Sequence, residues 1–121
     1  MKKQINAKPR TTLVSPVLKE KLESGVPLQS HLLAVSRAGH DKDTVYVVLE
    51  EEKEYVWLAD GRRRTLQQPK KKKKMHVQLI RHLSEEVQQQ LRSIELDAHL
   101  RKAIALYEKK ENAADETYSN S

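Results

Sequence analysis

Short runs of β-branched, aliphatic and aromatic residues recur between residues 31 and 83, and polar or turn-forming residues separate them. Runs of this length and composition are typical of β-strands. We therefore predict five strands, at residues 32–36, 44–49, 55–59, 62–66 and 76–81. Five short strands at this spacing indicate a small barrel or sandwich.

One turn is predicted after the first of these strands and another after the third. Residues 38–43 are polar and contain Gly39, so they predict the first turn. Asp60-Gly61 lies between two strand-like runs and favours a type I′ hairpin turn, because glycine adopts positive φ without strain. Residues 67–74 contain Pro69 and five lysines, and they are predicted to form a loop before the last strand.

After Ser84 the apolar residues recur every three or four positions, which indicates an amphipathic helix from about residue 85 to residue 110. A short helix is also predicted at 16–24, with Ser15 as its cap and Gly25 just after its end. The predicted organisation is a basic arm and short helix at residues 1–30, a β domain at 31–83, a helix at 84–112 and a disordered tail at 113–121.

Positive charge is concentrated in one part of the chain. Residues 60–82 hold nine Lys or Arg and one Asp, a local balance of +8 in a protein whose formal net charge is +6. Dense basic residues on a small domain are typical of a phosphate-binding surface, because each phosphate contact releases condensed counter-ions from nucleic acid. The composition therefore favours RNA or DNA binding.

The remaining composition excludes several classes of protein. The chain has 121 residues and no cysteine, which excludes disulfides and zinc–thiolate sites. No apolar run matches a secretory signal or a membrane helix, so a soluble, intracellular and cytoplasmic protein is expected. The five histidines are scattered and the three glycines are too few for a phosphate-cradling loop. We therefore predict no catalytic residue, no metal site and no cofactor.

Cationic side chains are the candidate RNA contacts. Five consecutive lysines repel one another unless an anion screens them, which suits a phosphate backbone; a solvated charge run or a targeting tract is the alternative. Arg62 and Arg64 are predicted to share one face of a strand, where they would either clamp phosphate or pair with the glutamates at 50–52 and 54. The full set is Arg37, Lys42, Arg62, Arg64, Lys70, Lys71, Lys72, Lys73, Lys74 and Arg81.

Apolar side chains supply two further candidate contacts. Tyr55 and Trp57 share one face of a predicted strand and are candidates for stacking on unpaired bases. A barrel without Phe needs large side chains inside, however, which favours the core for at least one of them. The stripe of Leu91, Ile94 and Leu100 is a candidate contact for a ribosomal or other protein partner, and packing onto the β domain is its alternative.

The segment from Val35 to Lys42 and the hydrophobic run at 45–49 resemble the KOW motif of SH3-like barrels. The continuation is Tyr55-Val56-Trp57-Leu58-Ala59-Asp60-Gly61, then a basic strand, then Pro69 to Val77. In this order the segments are similar to the bacterial KOW-domain RNA-binding proteins, which resemble the large-subunit ribosomal protein L-fourteen-e family. This chain has Asp43 where members often have Gly.

The resemblance covers residues 31–83 and implies a mainly β fold with helical extensions, built on a small SH3-like barrel of about five strands. It also implies a non-enzymatic, ribosomal-protein-like RNA-binding protein associated with ribosomal RNA or translation. KOW domains also serve as protein-interaction modules, so the alternative is a protein partner bound through the barrel and the C-terminal helix. Membrane contact is disfavoured, because no lipidation motif or apolar wedge accompanies the lysines.

Overall fold

The computed structural model of the chain describes the backbone of residues 15–120 and the side chains of residues 15–111. Its helices are α1 (Pro16–Glu23), α2 (Glu85–Leu91) and α3 (Asp97–Asn120). Its strands are β1 (Leu33–Ser36), β2 (Val45–Glu51), β3 (Tyr55–Ala59), β4 (Lys70–Lys73) and β5 (Val77–Ile80), and one turn of 3₁₀-helix at Lys74–His76 joins the last two. The predicted basic arm at residues 1–14 lies outside the described residues.

The five strands form one antiparallel sheet in the order β4-β3-β2-β1-β5. The predicted β-rich domain with helical extensions is therefore confirmed. β4 and β5 are the two edges, and no ladder joins them within residues 15–120, so the sheet is open. The sheet nevertheless curls. The curl is seen from the side chain of Lys72 in β4, which reaches Ser36 at the end of β1 although two strands lie between them in the sheet.

Each face of the sheet carries its own hydrophobic core, because successive side chains of a strand point to opposite faces. Val56 and Leu58 of β3 belong to the core on one face, with residues of β1 and β2. Trp57 and Ala59 belong to the larger core on the other face, which the helices cover. We call these the inner face and the helix-covered face of the sheet.

The C-terminal region forms two helices rather than the single helix predicted. Ile94 interrupts the helical run, since its N–H and carbonyl exchange hydrogen bonds with the Leu28 backbone at 2.8 and 2.9 Å. The Nδ1 atom of His99 accepts from the backbone N–H groups of Glu95 and Leu96 and so caps the start of α3. α3 continues to Asn120, past the predicted end at 112, so the backbone of the predicted disordered tail is helical up to that residue.

The apolar stripe of the C-terminal region packs inside the protein. Leu91, Ile94 and Leu100 are each at most 1% exposed, and all three belong to the helix-covered core. The interpretation of this stripe as a partner-binding surface is therefore wrong for this fold. Packing onto the β domain, which was the alternative, is what the structure shows.

The predicted strand at 62–66 is wrong, because the backbone folds back on itself there. The Asp60 carboxylate accepts hydrogen bonds from the N–H groups of Arg62 and Arg64 at 2.9 and 3.0 Å. The N–H groups of Asp60 and Gly61 both donate to the Arg64 carbonyl at 2.9 Å. Gly61 has the positive φ expected of it, +79°, but the turn is longer than a two-residue hairpin. The strand that pairs with β3 is instead Lys70–Lys73, where the sequence pattern predicts a loop.

Candidate nucleic-acid interface

The lysine run of β4 is divided between the two faces of the sheet. Lys70 and Lys72 lie opposite Leu58 and Val56 in the ladder, so their side chains belong to the inner face. Lys71 and Lys73 lie opposite Trp57 and Tyr55, on the helix-covered face. The side chains of Lys70 and Lys72 therefore have different neighbours from those of Lys71 and Lys73.

The inner lysines converge on one carboxylate in the turn between β1 and β2. Lys72 Nζ lies 2.7 Å from Asp41 Oδ1, 2.6 Å from Ser36 Oγ and 2.7 Å from the Ala38 carbonyl oxygen. Lys70 Nζ donates to Asp41 Oδ2 at 2.8 Å. Tyr46 also donates to Asp41 Oδ2, and Ser36 Oγ lies 2.8 Å from Asp41 Oδ1. We name this set the Asp41 cluster; its members are Ser36, Asp41, Tyr46, Lys70 and Lys72.

Asp41 is held as a carboxylate and is largely shielded from water. Only 14% of the Asp41 side chain and 10% of the Lys72 side chain are exposed. Burial alone would raise the pKa of Asp41, but the hydrogen bonds from Lys70, Lys72, Tyr46 and Ser36 together hold it far below its usual range. Burial, and then the hydrogen bond to Asp41, raise the pKa of Tyr46. Lys70 and Lys72, two of the predicted RNA contacts, therefore attach β4 to the β1–β2 turn.

The outer lysines of β4 have aromatic neighbours instead of carboxylates. Lys71 Nζ lies over the Tyr55 ring, 4.4 Å from its centroid, and 5.6 Å from the centroid of Trp57. Lys71 and Lys73 are exposed, and neither forms an ion pair within residues 15–111. Both are therefore available to an external anion.

The two aromatic candidates for base stacking differ in accessibility. Trp57 is 3% exposed, and its Nε1–H donates to Glu52 Oε2 at 2.8 Å. Its ring belongs to the helix-covered core and is closed to a base, which confirms the core assignment for at least one of the pair. Tyr55 is half-buried, so part of its ring reaches the surface.

Acidic and basic groups neutralise each other at the end of the sheet where β2 meets β3. Glu51 accepts from Lys74 at 2.9 Å and from Arg81 at 3.0 Å, so two more of the predicted RNA contacts are engaged in ion pairs there. These hydrogen bonds hold the pKa of Glu51 below its usual range. Glu50 pairs with Lys21 at 3.2 Å. Surface pairs of this kind are weak, so Lys74 and Arg81 can exchange Glu51 for another anion.

The opposite end of the sheet exposes several arginines and lysines. Arg62, Arg63 and Arg64 are all exposed, and none pairs with a carboxylate within residues 15–111, so the predicted alternative of pairing with Glu50 to Glu54 does not occur. Lys42 is exposed in the β1–β2 turn. Arg62 lines the same shallow hollow as Asp43 of that turn. The two loops, which are the β1–β2 turn and the loop at residues 60–66, are therefore neighbours.

Arg37 is the remaining cation predicted as an RNA contact. Its guanidinium donates to the Gln78 side chain and lies 3.8 Å from Asp43 Oδ1. Arg37 is therefore partly engaged. Six exposed cations of β4 and the two loops have no such partner within residues 15–111, and we call them the basic surface; they are Lys42, Arg62, Arg63, Arg64, Lys71 and Lys73.

Two features of this region are not predicted by the sequence pattern. One is the role of Asp41, although a lysine run that forms a strand must send every second ammonium group to one face, where a counter-ion is needed. The other is the position of Arg63, which a strand at 62–66 would place away from its neighbours. Both follow from backbone pairing that residue types alone do not specify.

Asp43 adopts a backbone conformation that glycine favours. Its φ is +73°, and it is the one non-glycine residue with positive φ among those described. Asp tolerates this left-handed region better than most residues do, because its short polar side chain can bond locally.

No protein-family model matches the chain, and no curated protein matches it. Within residues 15–120, every helix is too short or too polar to cross a lipid bilayer.

Proposed function

We propose that this chain is a non-enzymatic RNA-binding protein that acts in or near translation, and that its curled, open sheet is a variant of the KOW-type SH3-like barrel in which β4 and β5 are not paired. The observation that carries the proposal is the basic surface, where six exposed cations lie on β4 and the two neighbouring loops. The strand order and the positive φ of Asp43 support the fold assignment. Ribosomal RNA is the first candidate ligand.

The proposed mechanism is electrostatic. The guanidinium groups of Arg62, Arg63 and Arg64 present several N–H donors each, and such groups bind phosphate oxygens in a bidentate manner. Lys71 and Lys73 add two point charges along β4. The Asp41 cluster fixes the β1–β2 turn, which carries Lys42, to β4. Binding gains free energy from counter-ions released by the RNA.

The first test replaces the outer lysines only. We expect K71Q/K73Q to weaken binding of a labelled RNA about tenfold at moderate salt, and to reduce the slope of log affinity against log salt by about 1.4, since each lost phosphate contact removes about 0.7. The unfolding midpoint should change little, because neither lysine forms an ion pair within residues 15–111 and the cation–π contact of the exposed Lys71 is weak. Fluorescence anisotropy across a salt series measures the affinity and its salt slope.

The matched control is K102Q/K109Q, which removes the same charge from exposed positions on α3. We expect it to leave the affinity within about twofold of wild type. If both double variants weaken RNA binding equally, only net charge matters and the basic surface is not a site.

Association with the ribosome needs a separate measurement in cells. We expect the protein to co-sediment with the large ribosomal subunit at low salt and to leave it at high salt or after RNase treatment. If it stays at the top of the gradient at both salts, the link with translation is wrong. The alternative of a protein partner bound through the C-terminal helix has lost its predicted apolar stripe, because Leu91, Ile94 and Leu100 are buried.

A further inference from the structure

The Tyr55 ring is the one aromatic surface of β3 that a ligand can reach beside the basic surface. Tyr55 is half-buried on the helix-covered face, where Trp57 of the same strand is closed off by the core. Its hydroxyl makes no hydrogen bond to residues 15–111. An aromatic ring in this position offers a π-face to a flat ligand.

Two exposed cations border this ring. Lys73 lies directly opposite Tyr55 in the β3–β4 ladder, and Lys71 lies one pair further along on the same face. Side chains two residues apart on a strand are separated by about 6.6 Å. That is close to the spacing of neighbouring phosphates in an extended nucleic-acid strand. A single strand laid along β4 can therefore contact both lysines and present a base at Tyr55.

Lys71 covers the Tyr55 ring in this structure. Its Nζ is 4.4 Å from the Tyr55 centroid, within the range of a cation–π contact. A lysine held this way at an exposed site is bound more weakly than a stacked base. Phosphate is also a stronger partner for an ammonium group than the ring is. A strand that offers both groups can thus displace Lys71 and occupy the ring.

We propose that Tyr55 is a stacking site for one unpaired base, and that Lys71 covers it until a phosphate of the same strand draws the ammonium group away. This inference rests on the RNA-binding function proposed above and narrows its ligand to single-stranded RNA. Bases in a duplex already stack on their neighbours on both sides, so they offer no face to Tyr55. The basic surface binds either form through phosphates, whereas Tyr55 distinguishes between them.

The test compares Tyr55→Leu with Tyr55→Phe on two labelled ligands. One is an unstructured RNA of about 12 nucleotides, within the range of known single-strand site sizes, and the other is the same RNA annealed to its complement. We expect Y55L to weaken binding of the single strand about tenfold and to change duplex binding less than twofold. Y55F keeps the ring, and its affinity for both ligands should match wild type.

Circular dichroism and a urea unfolding curve show whether each variant is folded under the binding conditions, so the comparison remains informative if Y55L loses some stability. Equal losses for the two ligands, or no loss for either, would overturn the stacking site. A failure of the proposed function looks different: wild type would bind neither ligand in a salt-dependent manner, and K71Q/K73Q would then change nothing. Salt-dependent binding that K71Q/K73Q weakens, together with an unaffected Y55L, would refute the stacking site alone.

Discussion

Replacing Asp41 with Asn is expected to lower the free energy of unfolding by about 3 kcal/mol, at the low end of the cost of breaking a buried ion pair. The substitution leaves the ammonium groups of Lys70 and Lys72 without their shared counter-ion, and Lys72 is only 10% exposed. The Asn side chain is almost the same size, so the loss reports charge and not packing. Urea denaturation at neutral pH measures the effect.

The chain offers a matched control two residues away. Asp43→Asn makes the same change of charge in the same turn, but the Asp43 side chain is 73% exposed and its one ion pair is 3.8 Å long. Asn also tolerates the positive φ of this position. We expect a change of less than about 0.5 kcal/mol. Equal effects at the two positions would mean that the Asp41 cluster contributes nothing beyond net charge.

The same cluster determines a pH dependence. The pKa of Asp41 is depressed in the folded state, so its contribution is fully present above the unfolded pKa, which is about 3.9. The contribution is lost as the pH falls from there towards the folded pKa, because the unfolded chain then binds the proton more readily. Wild type should therefore lose stability more steeply than D41N between about pH 4 and pH 2. Parallel curves would show that Asp41 is not the titrating group.

Replacing Gly61 with Ala is expected to destabilise the protein by about 2–4 kcal/mol, because it combines backbone strain with a steric clash. The φ of Gly61 is +79°, and an added Cβ would lie 2.9 Å from Arg101 Cγ and well inside van der Waals contact with the Asp97 carbonyl oxygen. Relief of the clash requires the 60–66 loop to move away from α3. Two hydrogen bonds join them: Arg101 Nη1 to the Gly61 carbonyl at 2.6 Å, and Leu66 N–H to Asp97 Oδ1 at 2.8 Å.

Gly25→Ala is the control that separates backbone strain from steric clash in the loss of stability expected for Gly61→Ala. Its φ is also +79°, but an added Cβ would have no atom within 4 Å. Gly25→Ala should therefore cost only the backbone term, about 1 kcal/mol. The difference between the two variants in thermal or urea unfolding measures the close approach of the loop to α3. Similar losses for both variants would show that the loop is not held against the helix.

Where the residue types of a segment strongly favour one conformation, the sequence alone determined its secondary structure. β-branched and aromatic residues predicted β2 and β3, which the structure confirms close to their predicted ends. Ser15 accepts a hydrogen bond from Leu18 N–H, as expected of a helix cap before Pro16, and α1 follows. The concentration of charge and the need to bury an aromatic residue also follow from the residue types alone.

Tertiary pairing decided the features that local chemistry opposes or leaves open. Four successive lysines have low strand propensity, yet Lys70–Lys73 forms β4 because its backbone pairs with β3 and two of its side chains meet Asp41. Ile94 continues a helical pattern, yet it leaves the helix because its backbone pairs with Leu28. In both places backbone hydrogen bonds between residues far apart in the chain outweigh the local conformational preference. The spacing of residue types along the sequence does not predict these hydrogen bonds. The same pairing sends Lys71 and Lys73 outward and Lys70 and Lys72 inward, and so distinguishes candidate RNA contacts from structural residues within one uniform run.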